Sequence, residues 1–345
     1  MAKRSDKLEK LPLPIHRKLD KTGQTRGASV GEIYQNRVNR NSTVLIPWSY
    51  WDRCKPPIEG NDGYQHGFIV LVDPTWYFGT PNADAVMAKE GVVLGENAML
   101  LFQQRFEWDA HSVEVGNLLP NGVPFRPPTR REAPIGGSFM ARIHSTTAPG
   151  TSQIDYGFNE TDLRGAGIRV YEYASAKTIK ATRMQLEAIF WLAEDSHEAV
   201  TASGMSSAGA EQRRDAVLNE AEAAGLLDYQ RLEDLRIIDA EHLCICPLCL
   251  KRMKASEFSS RDEQAEGRET WDLTITMASL FHVEELRLGW LRHKPYNLGW
   301  GHHYCNVVVK DTGIDGTLNW MDDVLAANLA AGWKPTPLEQ RRREG

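Results

Sequence analysis

Short apolar runs separated by turn residues fill the chain from Thr43 to His144. The runs are TVLIPWSYW, GFIVLVD, MLLFQQRF and SFMARIH, each rich in aromatic or β-branched residues and bounded by Pro, Gly or Asn. This pattern is typical of short β-strands. Residues 83–91 instead have a helical pattern that ends at Gly91, a residue type that commonly terminates helices. The sequence therefore predicts several short strands and one short helix in this region.

A helical periodicity dominates the next part of the chain, at residues 176–199. Apolar residues recur there at three- and four-residue spacing and predict a helix with one buried face; they are Ile179, Leu186, Ile189, Phe190 and Ala193. Residues 201–210, TASGMSSAGA, are small and polar, which favours a linker, and a second helix is predicted over 211–225. Strands followed by helices predict a mixed α+β fold.

Charge is distributed unevenly along the 345 residues. The net charge of the chain is −6, yet residues 1–40 contain ten Lys and Arg against four Asp and Glu. This basic N-terminal arm could contact phosphate groups or be a flexible, solvated tail, and the sequence leaves both interpretations open. The acidic total argues against a protein that coats nucleic acid without specificity.

Length and cysteine usage narrow the class of protein further. A chain of 345 residues predicts two or three domains. It has no apolar run of the ~18 to 20 residues that cross a bilayer, and its charged start, MAKRSDKLEK, lacks the apolar core of a signal peptide. Three of the five cysteines cluster at Cys244, Cys246 and Cys249, which is typical of a reduced metal site. We therefore expect a cytoplasmic protein without a membrane segment.

Two pairs of metal-ligating residues predict a structural zinc site. The predicted ligands are Cys246, Cys249, His302 and Cys305. The first pair has the C-x2-C spacing that lets two thiolates of one tight turn share a tetrahedral Zn²⁺, and the second is an H-x2-C pair. His303 could replace the first histidine, and Cys244 could replace the first cysteine. The competing interpretation is a set of unrelated buried thiols and a surface histidine.

Three further residues share a register with this predicted zinc frame. They are His282, Asn297 and Asn306. His282 and Asn297 are 15 residues apart (297 − 282), and Asn306 directly follows Cys305. In this register, residues 244–311 resemble the HNH nucleases of the ββα-metal superfamily, in which a histidine ends a first strand and a zinc-ligand pair precedes a helix. The resemblance implies a small zinc-bound ββα-metal module that hydrolyses phosphodiester bonds.

The resemblance also implies a role for each of the three residues. His282 would be the general base, a task for which imidazole is suited because it is mostly neutral near pH 7. Asn306 would ligate a catalytic divalent cation, for which Mg²⁺ is expected. Asn297 would shape the loop and help to orient the histidine.

One departure from the family pattern concerns the catalytic cation. Many family members carry a metal ligand directly before the histidine, whereas this chain has Phe281. Asn306 would then be the one protein ligand, with phosphate oxygens and waters completing the shell. Glu284 and Glu285 are nearby alternatives, and of the two Glu284 would share a strand face with the histidine.

Basic and amide-bearing residues outside the motif predict DNA contacts. They are Arg287, Arg292 and Lys294, in the loop between the histidine and the first asparagine, and Arg37, Asn39 and Arg40 in the run QNRVNRNS. Arginine and asparagine commonly read base edges or bind phosphates, although the loop could also be merely exposed. The runs IHRKLDKTGQTRGA and GFIVLVDPTWYF resemble the BstXI group of type II restriction endonucleases. That resemblance implies specific cleavage of double-stranded DNA and, because each such active site cuts one strand, a homodimer.

These assignments divide the chain into five parts. They are a basic arm (1–40), a DNA-recognition domain (41–200), a helical linker (201–235), a zinc-bound HNH nuclease domain (236–325) and a C-terminal tail (326–345). Two alternative functions stay open. One is a modification-dependent endonuclease that holds a flipped methylated base between aromatic residues such as Trp48, Tyr50 and Trp51. The other is a zinc-stabilised DNA-binding protein without catalysis.

Overall fold

The computed structural model describes residues 8–20, 34–36, 43–54, 68–102, 110–111, 139–141, 168–169, 172–260 and 276–333. Contacts within the chain divide it into two compact units. The first unit comprises residues 1–19, 181–286 and 295–345, and the second comprises 20–180 and 287–294. Helices and small sheets together build the fold, which confirms the predicted mixed α+β class. The division into five functional parts stays a prediction.

The elements of the described residues follow one another in this order. The helices are α1 (Leu13–Asp20), α2 (Trp51–Cys54), α3 (Pro74–Gly79), α4 (Ala83–Lys89), α5 (Ala176–Trp191), α6 (Ser196–Ala202), α7 (Ser207–Ala223), α8 (Tyr229–Asp234), α9 (His303–Val309) and α10 (Gly313–Ala330). The strands are β1 (Tyr34–Asn36), β2 (Thr43–Pro47), β3 (Phe68–Val72), β4 (Ala98–Phe102), β5 (Phe139–Ala141), β6 (Ile168–Arg169), β7 (Ala278–His282) and β8 (Leu298–His302). The four predicted strand runs correspond to β2–β5, and the helix predicted at 83–91 corresponds to α4.

A six-stranded sheet organises the second unit. Its strand order is β5-β4-β3-β2-β1-β6; β2 to β5 run parallel, whereas β1 is antiparallel to both of its neighbours. The strand β3, FIVLV, is buried on both faces from Ile69 to Val72. A central parallel strand needs such a continuous apolar run because other elements cover both sides of the sheet.

The helix predicted over 176–199 is interrupted in the structure. Helix α5 ends at Trp191 and α6 begins at Ser196, because Asp195 between them has a left-handed backbone with φ of 54°. The next helix, α7, begins before the predicted position 211, since the Ser206 hydroxyl accepts a hydrogen bond from Gly209 N–H at 3.0 Å and caps it. Residues 207–210 are therefore helical and are not part of a linker.

The antiparallel hairpin of β7 and β8 lies in the first unit. Ala278 is opposite His302 and His282 is opposite Leu298, and α9 begins at the residue that follows β8. Trp300, which is buried in β8, donates its indole N–H to the carbonyl oxygen of Leu186 in α5 at 2.9 Å. The hairpin is thus fixed on the core helix by a buried hydrogen bond as well as by apolar packing.

Part of the predicted basic arm belongs to the core of the first unit. Leu11, Ile15 and Leu19, on or beside α1, are buried among the apolar residues of that unit. Of the two interpretations of the arm, the flexible, solvated tail is therefore wrong for residues 13–20, and phosphate contacts stay a prediction. The predicted DNA-reading residues Arg37, Asn39 and Arg40 lie outside the described residues.

No helix within the described ranges is both long enough and apolar enough to cross a membrane.

Candidate metal centre and hairpin site

The four predicted zinc ligands meet where β8 passes into α9. The ligand atoms of Cys246, Cys249, His302 and Cys305 all lie within 4.8 Å of one another. Zn–S bonds of about 2.3 Å in a tetrahedron place the ligand atoms about 3.8 Å apart, so small side-chain movements would seat the ion. Among the residues that the structure describes, this is the one group of three or more His, Cys, Asp or Glu side chains arranged to hold a metal.

Local backbone structure presents both ligand pairs. A tight turn carries the first pair: Cys246 N–H donates to the Lys251 carbonyl, and Leu250 N–H donates to the Cys246 carbonyl, each at 2.9 Å. Leu250 has φ of 59°, which closes the turn. The second pair lies at the start of α9, with His302 as its N-cap and Cys305 within its first turn.

The thiols of this group favour a cation. All three cysteines are free of disulfides. Burial raises the pKa of the Cys305 thiol well above its ordinary value, and the neighbouring thiols of Cys246 and Cys249 raise that pKa further. Three close thiolates repel one another unless a positive ion compensates their charge. The donor set of three sulfurs and one imidazole therefore fits Zn²⁺.

The structure also distinguishes between the alternative ligands, His302 or His303 and Cys246 or Cys244. His302 Nδ1 lies 3.3 Å from Cys249 Sγ, whereas His303 Nδ1 lies 3.3 Å from the Ser279 hydroxyl. Cys244 is fully buried in the apolar core of the first unit, outside the ligand group. Zinc binding itself stays a prediction.

Glu257 adds a carboxylate that the sequence analysis missed. It lies in a 3₁₀ turn, Ala255–Phe258, and its Oε1 is 3.8 Å from His302 Nε2. Its side chain is only 16% exposed. Metal-binding histidines commonly have a carboxylate beside the ring nitrogen that does not bind the metal. The spacing of residues in the sequence could not predict this contact, because Glu257 and His302 are far apart along the chain.

The hairpin places His282 at the end of β7, where it is half-buried. Asn297 precedes β8 and is 1% exposed. Its Oδ1 accepts a hydrogen bond from Glu284 N–H at 2.6 Å, and its carbonyl accepts one from Val283 N–H at 3.1 Å. Asn297 thereby fixes the two residues that directly follow the histidine.

The start of α10 holds the same segment from another side. Ile314 N–H donates to the Val283 carbonyl at 2.8 Å, and Leu286 N–H donates to the Asp311 carbonyl at 3.0 Å. Gly313 has φ of 78°, and a Cβ at this position would lie 2.5 Å from the backbone nitrogen of Glu285. Only glycine allows this approach, and no sequence pattern indicated it.

The residues around His282 bear on the prediction of a catalytic cation. Phe281 is fully buried in the apolar core and offers no ligand. Asn306 is half-buried on α9. Because β7 ends at His282, strand alternation does not extend to Glu284, which lies exposed in the following bend. The argument that placed this glutamate on the face of the histidine is therefore wrong.

A family model for BstXI restriction endonuclease matches residues 17–303. This chain belongs to the BstXI restriction endonuclease family. Membership implies a nuclease that binds DNA and cleaves it at specific sequences. The match includes His282 and Asn297 but ends before Cys305 and Asn306. None of the curated proteins and none of the solved structures matches the chain.

For a BstXI-family enzyme, the basic loop at residues 287–294 is a candidate DNA contact. The guanidinium groups of Arg287 and Arg292 stack over the Trp290 ring, 4.8 and 4.2 Å from its centre. Leu291 anchors the loop in the apolar core of the second unit, and Lys294 is exposed. The loop thus presents three cations and a half-exposed indole, of which the sequence analysis predicted only the cations.

Proposed function

We propose that β7, β8 and α9 form the HNH (ββα-metal) nuclease module of a type II, site-specific BstXI-family endonuclease. An antiparallel hairpin followed directly by a helix, with His282 ending the first strand, supports the proposal. The observation that carries it is the position of the ligand group. It joins the turn of Cys246 and Cys249 to the strand-to-helix junction of this same hairpin.

The zinc ion would have a structural role in this module. Cys246, Cys249, His302 and Cys305 supply four protein ligands, which leaves no open position for substrate. The junction at which α9 starts would then hold its shape through the metal. Loss of the ion would displace Asn306, the residue that follows the last ligand.

His282 would act as the general base in the hydrolysis of DNA. Its imidazole would take a proton from a water molecule, whose oxygen then bonds to phosphorus while the bond from phosphorus to the leaving oxygen breaks. Asn306 would hold Mg²⁺, with phosphate oxygens and waters as the remaining ligands. When bound, Mg²⁺ supplies positive charge that neutralises the phosphate and the leaving oxygen. The hydrogen bond of Asn297 to Glu284 N–H would keep the histidine in place.

Plasmid cleavage by a His282→Ala variant tests this proposal. We expect the rate to fall by about 10²- to 10⁴-fold, the usual contribution of a general base. Zinc content should stay unchanged, because the ring lies outside the ligand group, and a melting curve should show that the variant is folded. The matched control is His197→Ala, which removes a histidine on α6 that contacts Ser207. Cleavage by the His282 variant at the wild-type rate would eliminate the proposed base.

We also propose a homodimer, because helix α10 has an apolar surface that no residue in the described part of the chain buries. After Thr317 no residue of α10 is buried, yet Trp320, Val324, Leu325 and Leu329 are all substantially exposed. A helical stretch of thirteen residues, none of them buried, is marginal in water. Light scattering should therefore give twice the mass of one chain, and Leu325→Glu should give single chains that nick one strand. Leu13→Glu, an exposed site on α1, is the control. A wild-type mass of one chain would contradict the dimer.

The alternatives are separated by DNA digestion. Family membership favours an enzyme over a non-catalytic DNA-binding protein. Discrete plasmid fragments with Mg²⁺ are expected of a type II enzyme. Cutting of only the methylated member of a matched pair of DNAs would instead establish modification dependence. The free cysteines favour the reducing cytoplasm as the place of action.

A further inference from the structure

Gln185 is a polar residue in the core of the first unit, and both polar atoms of its amide are hydrogen-bonded. It lies on α5 and is fully buried. Its Oε1 accepts a hydrogen bond from Tyr296 N–H at 2.7 Å, and its Nε2 donates one to the Leu226 carbonyl at 2.9 Å. A buried amide without these partners would be costly. Gln185 thus joins the segment before β8 to the segment after α7.

The side chain of Tyr296 is held as well as its backbone. Its hydroxyl donates a hydrogen bond to the Gly225 carbonyl at 2.6 Å and accepts one from Asp228 N–H at 3.1 Å. Gly225 and Asp228 supply only backbone groups to these bonds. The guanidinium of Arg231 lies 4.0 Å from the centre of the tyrosine ring, in a cation–π contact. Tyr296 therefore has partners at its backbone N–H, its hydroxyl and its ring.

The backbone conformation of Tyr296 explains why so many contacts are needed. Its φ is 65°, in the left-handed region that bulky side chains rarely adopt. Such a conformation persists only where the surrounding structure imposes it, and it is most frequent at functional sites. The hydrogen bond from Tyr296 N–H to Gln185 acts directly on this strained backbone.

Tyr296 directly precedes Asn297, the residue that fixes the segment after His282. The Asn297 side chain accepts a hydrogen bond from Glu284 N–H at 2.6 Å, and its carbonyl accepts one from Val283 N–H at 3.1 Å. If the backbone of Tyr296 relaxed, both acceptors would move. A series of contacts therefore runs from α5 to His282, and all of its members belong to the first unit.

We propose that Gln185 and Tyr296 are positioning residues for DNA cleavage, which hold His282 in place through Asn297. The proposal rests on the proposed role of His282 as the general base. Because Gln185 is fully buried, it cannot contact DNA, and its effect on the reaction passes through the hairpin. Neither positioning residue belongs to the metal-ligand group. Their loss should therefore slow the chemical step without weakening DNA binding or removing zinc.

Single-turnover cleavage of plasmid DNA by a Gln185→Leu variant tests the proposal. Leucine fills much of the same space and makes neither hydrogen bond. We expect the rate constant to fall about 10- to 100-fold, since a displacement of about 1 Å can cost about 10²-fold. The enzyme concentration that gives half of the maximal rate should change by less than about twofold, because DNA binding is unaffected. A weaker half-maximal concentration with an unchanged rate constant would overturn the proposal.

Two controls and a second variant accompany this measurement. Gln230→Leu removes an exposed glutamine on α8 that bonds to Asp234, and Val217→Ala opens a cavity in α7 without touching these hydrogen bonds. Both should cleave as the wild type does once folded. Tyr296→Phe removes only the hydroxyl and should slow cleavage about 2- to 10-fold, the usual value of one hydrogen bond. It tests the proposal even if Gln185→Leu does not fold, and a wild-type rate for it would contradict the proposal.

Combination with His282→Ala separates positioning from general destabilisation. If Gln185 acts through His282, Gln185→Leu should leave the residual rate of the His282→Ala variant unchanged. A further loss equal to that seen in the wild-type background would show that Gln185 supports the fold alone, which would overturn the proposal.

Nuclear magnetic resonance of histidine-labelled protein without DNA provides a measurement that does not depend on cleavage. The ring signal that is missing in His282→Ala identifies His282. This signal should shift in Gln185→Leu and stay in place in Val217→Ala, and an unshifted signal in Gln185→Leu would overturn the positioning role. The cleavage rate of His282→Ala alone reports on the general base, so the failure of one proposal is distinguishable from the failure of the other.

Discussion

The close contact at Gly313 gives a sharp test of how the segment after His282 is held. Replacement of Gly313 by alanine imposes two separate costs. A left-handed backbone costs alanine about 1–2 kcal/mol. In addition, the new Cβ would lie 2.5 Å from the backbone nitrogen of Glu285 and 2.9 Å from the carbonyl carbon of Glu284. Because these are backbone atoms, they can yield only if the segment moves, and such overpacking costs about 1–3 kcal/mol more.

Gly225 provides the matched control for this experiment. It also has a left-handed backbone, with φ of 68°, but a Cβ there would meet nothing within 4 Å. Urea unfolding should therefore show a loss of about 1–2 kcal/mol for Gly225→Ala and about 2–5 kcal/mol for Gly313→Ala. Cleavage should separate the variants further, because a displacement of about 1 Å near a reacting group can cost about 10²-fold in rate.

Two results would refute this reasoning. Equal unfolding midpoints for both variants would mean that the contact at Gly313 imposes no constraint. A destabilised Gly313 variant with the wild-type cleavage rate in native buffer would mean that the segment does not position the catalytic group. In that case His282 would need another support or would not be the base.

Three further predictions concern the metal group and the hairpin. Cys305→Ser should reduce bound zinc, measured by plasma emission spectroscopy, from about one ion per chain to none. Cys54→Ser, the control, should retain the zinc because Cys54 is a buried thiol outside the ligand group. Burial raises the pKa of the Cys54 thiol to about 12. Asn297→Ala should lower the free energy of unfolding by about 1–3 kcal/mol, because it leaves the backbone N–H of Glu284 without its hydrogen bond to the Asn297 side chain. Asn328→Ala, the control on exposed α10, should lower it by less than about 0.5 kcal/mol. Glu257→Gln should weaken zinc binding about 10- to 100-fold in competition with a chelator.

Each of these predictions can fail in its own way. Zinc retained after loss of the thiol would show that the metal lies elsewhere. Equal stability losses in the two asparagine variants would show that the hydrogen bond from Glu284 N–H to Asn297 does not stabilise the hairpin. A zinc affinity unaffected by the glutamine substitution would show that the carboxylate does not support the ligand histidine.

Local patterns predicted the parts of this molecule that depend on near neighbours in sequence. One turn of backbone sets the spacing within each ligand pair, so the sequence could predict both pairs. They are Cys246 with Cys249 and His302 with Cys305. The strands β2 to β5 were likewise predicted from their apolar runs, and the run is clearest in β3, a central parallel strand that is covered on both faces. Their order in the sheet was not predicted, since pairing depends on contacts between distant segments.

Features set by distant contacts escaped the sequence analysis. The break at Asp195 follows from tertiary structure, because its carboxylate accepts a hydrogen bond from Ala255 N–H at 2.7 Å. The helix α1 has the basic composition of an exposed arm, yet its apolar residues pack against the first unit. Glu257 lies beside His302, and Gly313 lies against the backbone of Glu285. Both contacts join residues that are distant in sequence, and hydrophobic periodicity does not predict such contacts.

The division of the predicted zinc ligands between two segments has a consequence for the synthesis of the protein. Cys249 and His302 are 53 residues apart, so the metal would close a long loop in the unfolded chain, a restriction worth about 4 kcal/mol if it acts as a covalent cross-link does. A nascent chain that has not yet reached residue 302 lacks half of the ligands, the whole of α9 and Asn306. In the proposed mechanism, the cutting centre would therefore be incomplete until residue 306 has been synthesised, and shorter nascent chains would be harmless to the DNA of the cell that makes them.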